Sequence, residues 1–171
     1  MAAPFRAQII QAIEARLATI TAGTLVYTDP GRNIRYRLTP KTVTRSVLPM
    51  DQYEPKDDWP LLGIMRWAGS TVAKDMHTGA HGRLVYEHAL SLQIRGYVRG
   101  DHPILTDAVL AGDLLEDLWA DHFACLTVDP TLGGLVDDFG PVGELETDQG
   151  ALEPDAYFIQ PWLARASAEL E

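Results

Sequence analysis

The longest run of alternating polarity in the sequence covers residues 84–98 and predicts a single long β-strand. Apolar side chains dominate one parity of this run, and polar or charged side chains dominate the other. This is the period of a strand whose two faces meet different surroundings. A strand of fifteen residues reaches roughly 50 Å. We therefore expect it to bend, with Gly96 as a candidate, or to extend beyond the body of the domain as a ribbon.

Amphipathic helices are predicted on either side of the strand-rich part of the chain. Residues 4–21 carry apolar side chains at spacings of three and four, which is one stripe of a helix. A second helix is expected from Pro103 to about His122, with acidic residues on its polar side and no Lys or Arg. We expect shorter strands at 33–39, 42–48, 61–67, 135–139 and 156–163, the last with Pro161 at an edge or bulge.

The order of these elements predicts an α+β fold. Residues 68–82 are rich in Gly, Ser and Thr, and they form either a long loop or the tip of a long hairpin. Helices separated from consecutive strands favour a mixed, mostly antiparallel sheet with the two main helices packed against it. With 171 residues, 46% of them hydrophobic, we expect one domain over residues 1–171 with a core of its own.

Composition excludes several classes of protein. The one cysteine, Cys125, rules out an internal disulfide and a cysteine-rich zinc site, and its apolar neighbours predict a buried, unreactive thiol. The N-terminus has no secretory segment, and no apolar run is long enough to span a membrane. A net charge of −10 argues against general nucleic-acid binding. We expect the chain in the cytosol or in a particle assembled there.

The net charge conceals an uneven distribution along the chain. Residues 1–100 hold thirteen Lys and Arg against eight acidic residues, a net of +5. Residues 101–171 hold sixteen acidic residues and one base, Arg165, a net of −15. Two explanations are open. The halves can neutralise each other inside one molecule, or each molecule can present a basic and an acidic face and associate head-to-tail, with a closed ring as the usual finite product.

No catalytic motif is present: there is no P-loop, nucleophile elbow or HExxH. Asp75, His77 and His81 have metal-binding chemistry, but nothing in the sequence holds them rigid. His88 falls on the apolar parity of the long strand, which is typical of a core histidine. We therefore predict no enzyme and no catalytic, cofactor-binding or metal-binding residues, and we expect an interaction protein.

Several segments together resemble the tail terminator proteins (minor tail protein U-like or tail completion proteins) of long-tailed bacteriophages. The first is the opening helix RAQIIQAIEARLA, and the second is TPKTVTRSVLPMD leading into LLGIMRW. The strand LSLQIRGYVRG then leads into the acidic helix ILTDAVLAGDLLEDLW. LTVDPTLGGLVDDFGPV and the closing AYFIQPWLA complete a resemblance that covers most of the chain.

The resemblance implies a structural virion protein at the junction of tail and neck, assembled in the host cytoplasm. Such proteins form a ring, usually of six subunits, on the last ring of the tail tube. The ring ends tube polymerisation and presents the surface that docks to the head. Its partners would be its own copies, the tail tube protein and a head–tail connector or neck protein, and DNA would pass through its lumen. Another neck component, such as a head-closure or adaptor protein, and a monomeric binding domain remain alternatives.

Within this interpretation, two charged groups are candidates for the contact between subunits. A basic strand face would meet an acidic helix face on a neighbouring subunit. The loop at 68–82 would project toward the lumen or a stacked ring. The candidate interface residues are Arg32, Arg35, Arg37, Asp113, Glu116, Asp117 and Asp121, and the candidate loop residues are Lys74, His77 and His81.

Overall fold

The computed structural model describes residues 5–29, 32–45, 59–76, 83–100, 111–148 and 154–169. Helix α1 spans Phe5–Leu17 and buries an apolar stripe at its predicted spacing. Helix α2 spans Ala111–Thr127. It continues past His122, where we expected it to end, because the buried Cys125 and Leu126 extend its apolar side by another turn.

Eight strands form two sheets in the described part of the chain. The first two pair with each other as a separate antiparallel hairpin. The other six form one sheet in the order β3-β4-β5-β8-β6, with β7 also paired to β8. Only the β3–β4 pair is parallel. The strands are β1 Leu25–Asp29, β2 Arg32–Arg35, β3 Thr42–Thr44, β4 Leu61–Met76, β5 Arg83–Arg99, β6 Asp138–Pro141, β7 Glu146–Thr147 and β8 Asp155–Glu169.

The predicted long strand is β5, and it is longer than the alternating run that predicts it. Its antiparallel partner β4 continues to Met76, where we expected a strand that ended at residue 67. Of the two alternatives for residues 68–82, the long hairpin is therefore correct. The two strands are paired from Leu61 opposite Tyr97 to Met76 opposite Arg83. The described buried core residues of β5 lie between Leu90 and Val98, and the β4–β5 ladder continues past them to Arg83.

No bulge interrupts β5 at Gly96, because its pairing with β8 is in unbroken register. It lies directly opposite Phe158, and a Cβ atom at residue 96 would overlap the Phe158 ring. The residue is glycine because the ring lies against the backbone there. The irregularity in this part of the sheet is in β4 instead, where the register shifts between Arg66 and Ala68.

Strand β8 is central in the sheet rather than at its edge, so the expectation that Pro161 marks an edge or bulge was wrong. Strand β6 pairs with β8 up to Trp162, and β7 pairs from Ile159. Pro161 therefore lies in the gap between the two short strands, where a ladder N–H is not needed. Its carbonyl accepts a hydrogen bond from the Val142 N–H at 3.0 Å.

Both helices pack on one face of the six-stranded sheet. Ile13 and Leu17 of α1 and Leu118 of α2 share one buried cluster with Leu92 of β5 and Trp162 of β8. A smaller cluster forms around Leu61 and Tyr97. The architecture is a single-domain α+β fold with a mixed, mostly antiparallel sheet, as the sequence predicts. Neither helix in the described ranges has the length and apolar character needed to cross a membrane.

Candidate subunit interface

Asp121 connects α2 to the segment that follows the β1–β2 hairpin. One of its carboxylate oxygens, Oδ2, accepts hydrogen bonds from the backbone N–H groups of Arg37 at 2.7 Å and Leu38 at 2.6 Å. The side chain is only 3% exposed. Burial raises the pKa of Asp121, while the two backbone hydrogen bonds act in the opposite direction. We expected this residue on the polar side of the helix; it is instead a buried structural acceptor.

The position of Asp121 could have been found from the sequence. It lies three residues after the buried Leu118 and four before the buried Cys125, which places it inside the apolar stripe of α2. The acids at 113, 117 and 121 are spaced four residues apart. The same spacing is expected for acids on one exposed face of a helix, so it does not show that Asp121 is buried.

Arg37 and Asp117 meet within one chain, although we expected the two charged faces to meet between subunits. The guanidinium Nη1 of Arg37 lies 2.8 Å from Oδ1 of Asp117. The pKa of Arg37 is raised by this hydrogen bond and by the carboxylate charge. For Arg37, Asp117 and Asp121 the structure therefore shows the intramolecular alternative.

The rest of the predicted interface set is placed differently. Arg35 is exposed and donates from Nη1 to the Gly23 carbonyl at 2.7 Å. Arg32 begins β2. Asp113 and Glu116 are exposed on α2, and neither forms an ion pair with any residue described in the structure. These two acids are the part of the predicted acidic face that remains available.

Two further ion pairs join the basic and acidic halves of the chain. Arg16 of α1 donates to Asp129 at 2.6 Å, and this pairing, with hydrogen bonds from Thr131 and Gly133, holds the pKa of Asp129 well below its usual range. The Arg99 Nε lies 3.5 Å from Asp155 Oδ1. Together with the Arg37–Asp117 pair, these contacts show that the halves partly neutralise each other inside one molecule.

A groove of about 560 Å³ lies beside the first turns of α2. Asp113 and Glu116 form its acidic side, and Arg37 also lines it. Leu145, which follows β6, is 38% exposed, whereas Leu115 and Phe158 are buried at the base. This groove was not predictable from the strand assignment, because α2, β7 and β8 meet only in the folded chain. Its apolar lining residues are Leu115, Trp119, Ala120, Leu145 and Phe158.

His122 lies below this groove among aromatic rings. It stacks on Phe158 at 4.8 Å between ring centroids and meets Trp162 edge-on at 5.9 Å. The side chain is fully buried, and burial lowers its pKa to about 3. His122 is therefore neutral at physiological pH and acts as a packing residue.

Cys125 is buried between α1 and α2, as predicted from its apolar neighbours. Its thiol donates to the Arg16 carbonyl at 3.3 Å. Burial raises the pKa of the Cys125 thiol and that of the neighbouring Tyr36 hydroxyl. A buried thiol with a raised pKa is a poor nucleophile.

The predicted loop residues are only partly covered by the structure. Lys74 is in β4, near the end of the long hairpin, as is Asp75. His77 and His81 lie outside the described residues. In the described ranges, no three His, Cys, Asp or Glu residues come close enough together to hold a metal ion.

A second, smaller groove of about 360 Å³ lies where β5, β6 and β8 meet. Glu87, His88 and Asp137 line it. His88 is half-buried and contacts the Phe5 ring at 5.4 Å, in keeping with a packing histidine. The Asp137 N–H donates to the Arg165 carbonyl at 2.8 Å, so the backbone at Asp137 continues the pairing of β6 with β8.

The arrangement on α2 combines a partly apolar groove with exposed acidic side chains, and protein-binding surfaces have both features. When the chain is compared with known proteins, no family model matches it, and no curated protein matches it either.

Proposed function

We propose that this chain is a structural virion protein of the tail terminator type. Its copies form a ring on the end of the phage tail tube, stop tube polymerisation and provide the surface that docks to the head. The observation that carries this proposal is the α2 groove, defined as the groove lined by Asp113, Glu116, Leu115, Trp119, Leu145 and Phe158.

The α2 groove supports self-association because the internal ion pairs leave out its two acids, Asp113 and Glu116. Arg37 also lines the groove, but its ion pair is with Asp117. Arg16 and Arg99 pair with Asp129 and Asp155. Asp113 and Glu116 are exposed and line this groove beside its apolar residues. A surface of this kind selects a partner with an apolar group and a cation, and the basic half of a second copy offers both.

The long β-hairpin supports the same proposal in a different way. Strands β4 and β5 have 16 and 17 residues and continue their pairing beyond the described core residues of β5. At about 3.3 Å per residue, each strand is about 50 Å long. In the proposed ring this hairpin, with Lys74 in β4 and His77 and His81 in the segment that joins the strands, reaches toward the lumen or a stacked ring.

The proposed function is tested in the phage that encodes the chain, by electron microscopy of particles made without it. Loss of a terminator produces overlong tails, or tails that are not joined to heads, and restoring the gene on a plasmid corrects both. Leaking heads beside normal tails would instead assign the chain to head closure. Normal particles would contradict a role in the neck altogether.

A further inference from the structure

The β1–β2 hairpin is set apart from the main sheet. Its strands Leu25–Asp29 and Arg32–Arg35 pair only with each other in the described part of the chain. A lone two-stranded hairpin is marginally stable in water and gains from packing against another surface. This one packs inward through Val26, which contacts the core.

The outer side of the hairpin is apolar and cationic. Leu25 and Tyr27 are each 44% exposed. Leu25 lies directly opposite Arg35 in the hairpin register, and Arg35 is exposed as well. The hairpin therefore presents large apolar groups next to a guanidinium.

The α2 groove has the complementary chemistry. Part of its lining is apolar, through Leu115, Trp119 and Leu145, and Asp113 and Glu116 supply two negative charges. Arg37 also lines the groove, and its charge is balanced by its ion pair with Asp117. Leu25, Tyr27 and Arg35 are not among its lining residues in the described part of the chain, so the hairpin does not occupy the groove of its own chain.

We infer that the β1–β2 hairpin of one copy docks in the α2 groove of a neighbouring copy. Leu25 and Tyr27 cover the apolar lining, and Arg35 meets Asp113 and Glu116. The two surfaces are different patches of the same chain, so the contact is heterologous and can be repeated around a ring. The inference rests on the proposed function, since it names the contact that builds the proposed ring.

Disulfide trapping between copies tests the contact directly. The only native cysteine, Cys125, is buried, so introduced thiols react without interference. Tyr27→Cys in one preparation is mixed with size-tagged Glu116→Cys in another and oxidised. Because each chain carries one new thiol, a bond between positions 27 and 116 must join two copies. The control replaces Tyr27→Cys by Ala15→Cys, at an exposed position on α1. We expect at least tenfold more mixed product with Tyr27→Cys, and equal yields would overturn the inference.

Charge exchange gives a second readout. Glu116→Arg places a cation opposite Arg35 and should raise the protein concentration needed for assembly at least tenfold, because like charges across an interface are strongly unfavourable. Adding Arg35→Glu restores an opposite-charge pair and should recover assembly. Asp138→Arg makes the same charge change at an exposed site outside the groove and serves as the control.

The outcomes separate the contact from the function. A ring that forms normally in Glu116→Arg and gives no bond between positions 27 and 116 overturns the docking of the hairpin while leaving the terminator proposal intact. A bond in a closed dimer supports the hairpin contact but contradicts the ring. A chain that stays monomeric on tail tubes as well as alone, without the bond, overturns both.

Discussion

Asp121 of α2 accepts a hydrogen bond from the backbone N–H of Arg37 at 2.7 Å, across 84 residues of sequence. This contact, shared with the Leu38 N–H, fixes the end of the β1–β2 hairpin to the helix that carries the α2 groove. This buried carboxylate therefore helps to set the position of the hairpin relative to the groove, together with the Arg37–Asp117 ion pair and the packing of Val26.

Removing that carboxylate should destabilise the fold. Asp121→Ala leaves two backbone N–H groups without their acceptor, and each unsatisfied group costs about 1–3 kcal/mol. We expect the free energy of unfolding in urea to fall by about 2–4 kcal/mol. Asp121→Asn retains an acceptor oxygen and should lose less than half as much. Asp117→Ala removes only the exposed pair with Arg37 and should cost about 0–1 kcal/mol. Equal losses for Asp121→Ala and Asp117→Ala would show that Asp121 has no special role.

Gly96 should not tolerate a side chain. Gly96→Ala places a methyl group where the Phe158 ring lies, and Phe158 in turn stacks on His122. Such overpacking costs about 1–3 kcal/mol of unfolding free energy. The matched control is Gly140→Ala in β6, where a Cβ atom meets nothing within 4 Å. The control should stay within about 0.5 kcal/mol of the parent protein. A Gly96→Ala protein as stable as Gly140→Ala would contradict the close approach of the ring.

His122 should make the protein less stable in mild acid. Its pKa is about 3 in the folded chain against 6.5 for an ordinary histidine. Between these values the unfolded chain binds a proton that the folded chain does not, so stability falls as pH falls. The contribution is complete above pH about 6.5, and about 2 kcal/mol of it is lost between pH 7 and pH 5.

His122→Phe tests this pH dependence, because phenylalanine keeps an aromatic ring beside Phe158 and cannot be protonated. The unfolding free energies of both proteins are measured in urea at pH 7, 6 and 5. The variant should become more stable relative to the parent by about 2 kcal/mol over that range. A difference in unfolding free energy that stays constant across the pH series would mean that His122 binds a proton equally well in the folded and unfolded chains.

The periodic elements were predictable from the sequence. The alternation at residues 84–98 predicted β5, and the stripe of Ile9, Ile13 and Leu17 predicted α1. Each pattern arises because one face of a single helix or strand is buried, and the spacing of apolar residues in the sequence shows this directly. The full length of β4 was not predictable in the same way, because its residues after Trp67 are small and polar and their strand state comes from pairing with β5.

The candidate interface was only partly predictable. Charge counting identified both the basic and the acidic groups, but it could not separate residues that pair inside the chain from those that remain exposed. Asp121 and Asp113 have the same side chain on the same helix, yet one is buried against Arg37 and the other lines the groove. Their positions relative to the apolar stripe of α2 distinguish them, and a count of charges does not include that information.

The most direct test of the proposed assembly is native mass spectrometry of the purified chain at low and moderate salt. Our account predicts a hexamer at six times the subunit mass of 18.9 kDa. It also predicts partial dissociation as salt rises, because screening weakens the contact of Arg35 with Asp113 and Glu116. The same measurement is repeated with tail tubes present, since the ring is proposed to form on a tube. A chain that is monomeric at every concentration and also fails to bind tubes would contradict the central claim.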